Sequence, residues 1–201
     1  MTERSNFDDG SRPLAGLNYL GLLLGLIVVA GILTAAMTMQ YAFGELPCPL
    51  CLLQRVTMFG FCFATMLSFR WGFSWRNSGI SLLFTVLLLI VSVRQTLLDI
   101  YPRPGHAYIG SAVLGLHMPV WSVVIALALL IAQAFQLVVF GGQRLEHRPV
   151  NAFPAIALAG KIACLYVVLL CAINLVSVVL QCGLGECHTF GYQLLSPAPN
   201  P

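Results

Sequence analysis

Two cysteines with two residues between them, Cys48-Pro49-Leu50-Cys51, are the most closely spaced pair among the seven in this chain. A C-x-x-C pair is a redox or metal-binding device, because its sulfurs can join as a disulfide or ligate a soft metal. Proline is favoured at the first position of a helix, where its missing N–H would have no partner anyway. Pro49 therefore predicts a helix that begins at the dithiol, with Cys48 as its N-cap. The positive end of a helix dipole stabilises anions, so a thiolate forms more readily there and leaves more readily in exchange. Arg55 follows Cys51 by four residues and Cys48 by seven, which places all three on one helical face.

A second pair, Cys182 and Cys187, has four residues between its members, two of them Gly183 and Gly185. Such a turn bends enough to bring the Cα atoms within the ~4.4–6.8 Å that a disulfide requires. Cys187-His188 raises the thought of c-type haem, but that attachment needs C-x-x-C-H and the spacing here is longer. Cys62, Cys164 and Cys171 fall inside apolar runs and are read as small buried hydrophobes.

The elements that must position these groups are membrane helices. The chain of 201 residues is 59% hydrophobic and 8% charged, with a mean hydropathy of +0.89, where soluble domains carry about 25% charged residues. Five apolar runs, near 14–39, 50–69, 79–98, 118–140 and 153–180, are long enough to cross a hydrocarbon core of ~30 Å. The first is too long for a signal-peptide core and its leader is mixed in charge, so it is read as a retained helix. Residues 1–13 are expected to form a short disordered cytoplasmic tail and 181–201 an outer tail, with 1–201 a single membrane domain. A net charge of +3 gives no argument for nucleic acid.

Orientation follows from the arginine and lysine bias. With the N-terminus inside, Arg4, Arg12, Arg70, Arg76, Arg144, Arg148 and Lys161 lie on the inner side, against Arg55, Arg94 and Arg103 outside. The C-terminus is then outside, and Cys48, Cys51, Cys182 and Cys187 share the outer, oxidising compartment where disulfides persist. Arg55 lies within the helix, where an arginine costs roughly 2.5–3.5 kcal/mol at mid-bilayer. That cost points to a role in stabilising a thiolate or holding a ligand oxygen, with snorkelling as the alternative. Asn174, within the fifth run, is expected to hydrogen-bond between helices.

Cys48-Pro49-Leu50-Cys51-Leu52-Leu53-Gln54-Arg55 resembles the C-x-x-C-x-x-x-R signature of the DsbB family, quinone-dependent proteins that form disulfides. Gly115-Leu116-His117-Met118-Pro119-Val120-Trp121 is similar to the segment that opens that family's fourth helix. Arg94-Gln95 and Tyr101-Pro102 are similar to the end of its third. The likeness covers roughly residues 14–140. It implies an all-α integral membrane protein, a four-helix DsbB-like bundle to which this chain adds a fifth transmembrane helix. It implies a bacterial inner-membrane protein whose redox cysteines face the periplasm, with ubiquinone or menaquinone as electron acceptor. By the same resemblance Cys51 faces the quinone, Arg55 holds a quinone oxygen, and Cys48 exchanges with a second dithiol that oxidises a periplasmic DsbA-like thioredoxin-fold protein. DsbA itself is a strong oxidant, near about −120 mV, so its oxidant must be stronger still. Arg94 is a further candidate for the quinone site, with a plain anchoring role as its alternative.

The family carries its second cysteine pair between helices three and four, and residues 99–117 of this chain contain no cysteine. His106 and Tyr108 stand near where the first would fall. Cys182 and Cys187 are the available substitute, as a shuttle pair or as a static disulfide pinning the tail. Two other functions remain in view. A relative of the vitamin K epoxide reductases would carry its C-x-x-C late in the bundle, whereas here it opens the second helix. A copper carrier would use Cys48, Cys51, Met37 and Met39 as soft ligands.

Overall fold

The computed structural model describes residues 3–101, 114–141, 150–183 and 192, the first ten of these by backbone alone. Five long helices account for most of them: α1 (Glu3–Ala42), α2 (Pro49–Trp71), α3 (Trp75–Ile100), α4 (Met118–Phe140) and α5 (Pro154–Cys182). All five are long and apolar enough to cross a membrane, α1 through its Pro13–Ala42 portion. Large apolar side chains such as Leu83, Ile131 and Leu165 point outward as well as inward. A helix apolar on every face needs an apolar surrounding, and the chain is a multi-pass membrane protein.

The helices start and stop where local chemistry allows. Ser74 caps α3, its side chain accepting from the backbone N–H of Asn77 at 3.3 Å. Gly72 ends α2 at φ 91°, a conformation that side-chain-bearing residues rarely adopt. The turn between α2 and α3 is only Gly72, Phe73 and Ser74, with Arg70 and Trp71 on one side and Trp75 and Arg76 on the other. Residues 3–12 continue α1 as helix instead of forming the expected disordered tail. Pro13 lies inside that helix, where it removes one backbone hydrogen bond without breaking the rod.

α2 is the most buried of the five spans. It packs chiefly on α3, α3 packs on α4, and α5 lies along α1 and touches α2. Leu26, Val29 and Leu33 of α1, Phe61 and Cys62 of α2, Leu88 of α3, Ala126 of α4 and Val167 of α5 form one continuous core. At Gly60 a Cβ would overlap the ring of Phe84, so this glycine sets the close approach of α2 and α3. Polar side chains fasten the remaining contacts. Gln133 Nε2 donates to Ser81 Oγ and Thr85 Oγ1 at 2.9 and 3.0 Å, joining α4 to α3. The hydroxyls of Thr34 and Tyr166 meet at 2.7 Å, joining α1 to α5.

Candidate active site

The site is built where α2 begins. Cys48 is its N-cap and Pro49 its first residue, as the sequence predicts. The Cys51 backbone N–H donates to Cys48 Sγ at 3.1 Å, so the first sulfur answers one of the unpaired donors that every helix N-terminus leaves. Cys48 and Cys51 are joined as a disulfide, with Cα atoms 5.0 Å apart. Cys48 is buried and Cys51 is half-buried.

Cys51 opens onto a cavity of about 460 Å³ between α1, α2 and α4, a size that suits a small organic ligand. Ile32, Leu33, Ala36 and Met39 line it from α1, Met58 from α2, and Met118, Trp121 and Ile125 from α4. Its polar wall includes Cys51, Gln54, Arg55 and Ser122. The resemblance-based pairing of Cys51 with Arg55 is thus brought together on one cavity.

Arg55 is buried and held from three directions. Nη1 donates to Gln40 Oε1 at 2.6 Å and to Asn174 Oδ1 at 3.3 Å, and Nη2 donates to the Ala36 carbonyl at 3.0 Å. A guanidinium has five N–H donors, so these three bonds leave Nε–H and one N–H of Nη2 over, on a residue that lines the cavity. Gln40 in turn donates to Ser177 Oγ at 2.7 Å and to Tyr192 Oη at 3.2 Å. Asn174 and Ser177 come from α5, so the fifth helix is part of the cradle of the arginine.

A second polar chain reaches the disulfide itself. Gln95 Nε2 lies 3.2 Å from Cys51 Sγ and 3.4 Å from Cys48 Sγ. Its Oε1 accepts from Gln54 Nε2 at 2.8 Å, and Gln54 Oε1 accepts from Ser122 Oγ at 3.1 Å. Sequence reasoning named Gln95 only as a neighbour of Arg94 and passed over Gln40, Gln54, Ser122 and Ser177. The available signal was the rarity of polar residues in apolar spans, where each must find a partner. Arg94 lies on the same helix. It is exposed and does not line the cavity, because one residue's rotation along α3 turns Gln95 inward and Arg94 out.

The second pair is placed in part. Cys182 is buried and disulfide-bonded at the end of α5. The neighbouring Gln181 Nε2 donates to the carbonyl of Pro47, next to Cys48, at 2.9 Å. The end of α5 and the start of α2 therefore meet at one end of the bundle. Cys187, His188, His106 and Tyr108 lie outside the described residues. Of the other cysteines, Cys62 is fully buried, Cys164 is half-buried and Cys171 is exposed on the side of α5 away from the core. Met37 belongs to the core, Met39 lines the cavity with Cys51, and Cys48 and Cys51 are bonded to each other.

A multi-pass helical bundle with a disulfide at a helix N-terminus, opening on an apolar cavity beside a buried arginine, defines a membrane dithiol–disulfide redox protein. The chain belongs to the DsbB family: residues 19–136 match the profile described as Disulfide bond formation protein DsbB. The matched stretch runs from within α1 to within α4, and α5 lies beyond it. No curated protein and no solved structure matched the chain. Membership implies a disulfide-generating oxidoreductase of the thiol:quinone type, working with a DsbA-like partner.

Proposed function

We propose that this protein oxidises the dithiol of a periplasmic DsbA-like thioredoxin-fold partner and passes the two electrons to a membrane quinone. The observation that carries this reading is the Cys48–Cys51 disulfide with Cys51 on the wall of the cavity beside Arg55. The donor set suits a quinone: carbon surfaces for a flat ring, and a buried cation with N–H groups left over for a carbonyl oxygen. When bound, the quinone supplies a two-electron, two-proton acceptor, so that two thiols and one quinone yield one disulfide and one quinol.

The chain's own residues do the rest. Arg55 holds the ligand oxygen, fixed in place by Gln40, Asn174 and Ala36. The apolar wall keeps water from the sulfur that faces the ligand. Cys48 exchanges with the Cys182/Cys187 pair, which takes the place of the loop cysteines absent from residues 99–117. Burial of Cys48 supports an internal donor over direct attack by a large partner, and the Gln181–Pro47 hydrogen bond supports Cys182 as that donor. The orientation that fits places the N-terminus inside, the C-terminus outside, and both cysteine pairs at the periplasmic face of the bacterial inner membrane.

The test uses purified full-length protein in detergent with a water-soluble ubiquinone or menaquinone analogue, following quinone absorbance. Reduced DsbA-like partner is the electron donor in one arm and dithiothreitol in the other. Cys48→Ser and Cys51→Ser abolish both reactions. Cys182→Ser abolishes the partner-driven reaction and spares the dithiothreitol-driven one, which needs no shuttle. Quinone reduction that survives Cys51→Ser defeats the proposal, and partner oxidation unchanged by Cys182→Ser makes that cysteine a structural pin.

A further inference from the structure

We propose that Gln95 is a catalytic residue, an amide donor that stabilises Cys51 as the leaving thiolate when the Cys48–Cys51 bond opens; this rests on the redox role proposed above for the pair. The Gln95 amide reaches both sulfurs, Cys51 Sγ at 3.2 Å and Cys48 Sγ at 3.4 Å, but among the described residues only Cys48 Sγ has a second donor. Cys48 Sγ already accepts the backbone N–H of its own helix N-terminus, at 3.1 Å. Among the described residues, the donor directed at Cys51 Sγ is Gln95 Nε2, at 3.2 Å.

The amide is aimed by its neighbours. A glutamine side chain carries a donor end and an acceptor end, and only the donor end helps a thiolate. Gln95 Oε1 is occupied by the N–H of Gln54 at 2.8 Å, and Gln54 Oε1 by the hydroxyl of Ser122 at 3.1 Å. The hydroxyl of α4 thus orients the amide of α2, and the amide of α2 orients that of α3 with its N–H toward sulfur. Gln54 and Ser122 are positioning residues. The chain is neutral, with Gln54 and Gln95 buried and Ser122 half-buried on the cavity wall, so it supports a transient negative charge without introducing a permanent one.

In the exchange step an incoming thiolate attacks Cys48 Sγ. A new S–S bond forms to Cys48, the Cys48–Cys51 bond breaks, and its electron pair stays on Cys51 Sγ. Hydrogen bonds to ionised groups are roughly twice as strong as neutral ones. The Gln95 N–H therefore strengthens as charge arrives, and it favours the sulfur on the cavity wall as the one that receives it.

The experiment reads thiolate directly, without quinone or partner. In a Cys48→Ala background Cys51 is a free thiol, and its alkylation rate by iodoacetamide at neutral pH is followed by mass spectrometry of the Cys51 peptide. Adding Gln95→Met lowers that rate about tenfold, the loss of one charge-assisted hydrogen bond. In the mirror Cys51→Ala background, Gln95→Met changes Cys48 alkylation by less than about threefold, because the backbone donor remains. Ser122→Ala, which touches neither sulfur, lowers the Cys51 rate by a smaller factor in the same direction. If Gln95→Met does not fold, Gln95→Asn draws the amide back by one carbon and gives the same loss. A Cys51 rate that changes less than threefold, or a Cys48 rate that falls as far as the Cys51 rate, overturns the assignment. A protein with this alkylation pattern that reduces no quinone would instead overturn the proposed function and leave the role of Gln95 standing.

Discussion

Replacing Arg55 with lysine separates its two duties. The guanidinium makes three hydrogen bonds inside the bundle, to Gln40, Asn174 and the Ala36 carbonyl. An ammonium has three donors, so the substituted lysine would satisfy the same acceptors and have none left for a ligand. Arg55→Lys is therefore expected to fold, with a denaturation midpoint in detergent displaced by no more than about 1 kcal/mol equivalent, a typical neutral hydrogen bond. The ligand bond it removes is charge-assisted, worth about 1.5–3 kcal/mol. At about 1.4 kcal/mol per factor of ten, the quinone KM rises roughly ten- to hundredfold. With saturating quinone, kcat changes little, because an interaction common to ground and transition states is what has been lost. The assay is steady-state quinone reduction with dithiothreitol as donor, over a wide quinone range. A KM within threefold of the native value would refute the reasoning and leave Arg55 as a helix-docking residue alone.

Gln40→Leu removes an acceptor from Arg55 and a donor from Ser177 and Tyr192; it is expected to loosen α5 from α1 by about 2 kcal/mol in detergent unfolding, interhelical bonds being modest singly. Gly60→Ala forces a methyl into the ring of Phe84 and is expected to cost about 1–3 kcal/mol by overpacking, seen in the same unfolding assay. Gln181→Leu breaks the bond to the Pro47 carbonyl. Partner-driven turnover is expected to fall about fivefold, matching one hydrogen bond of ~1 kcal/mol, while dithiothreitol-driven turnover stays within twofold; equal losses in both would show general damage in place of weakened docking.

The sequence carried the helices, their number and the dithiol at the start of α2, because each of these is a local matter. Hydrocarbon thickness dictates the length of an apolar run, and Pro49 after Cys48 dictates a helix start wherever the chain lies. Cys51 and Arg55 share a helical face by spacing alone, and both line the same cavity. The N-terminal boundary was less legible, since polar residues 3–12 extend α1 although their composition carries no apolar signal.

What surrounds the sulfurs was decided by packing between helices. Whether Arg94 or Gln95 points inward depends on the rotation of α3, and one residue is a turn of about 100° at 3.6 residues per turn. The α3 contact with α2 settles it for Gln95. Gln40, Asn174 and Ser177 are separated from Arg55 by up to 122 residues, and no spacing rule connects them. They meet because α5 lies against α1 and α2, where a buried guanidinium must find acceptors in a region without water. The chain could announce an arginine in a membrane; only the folded bundle chose its partners.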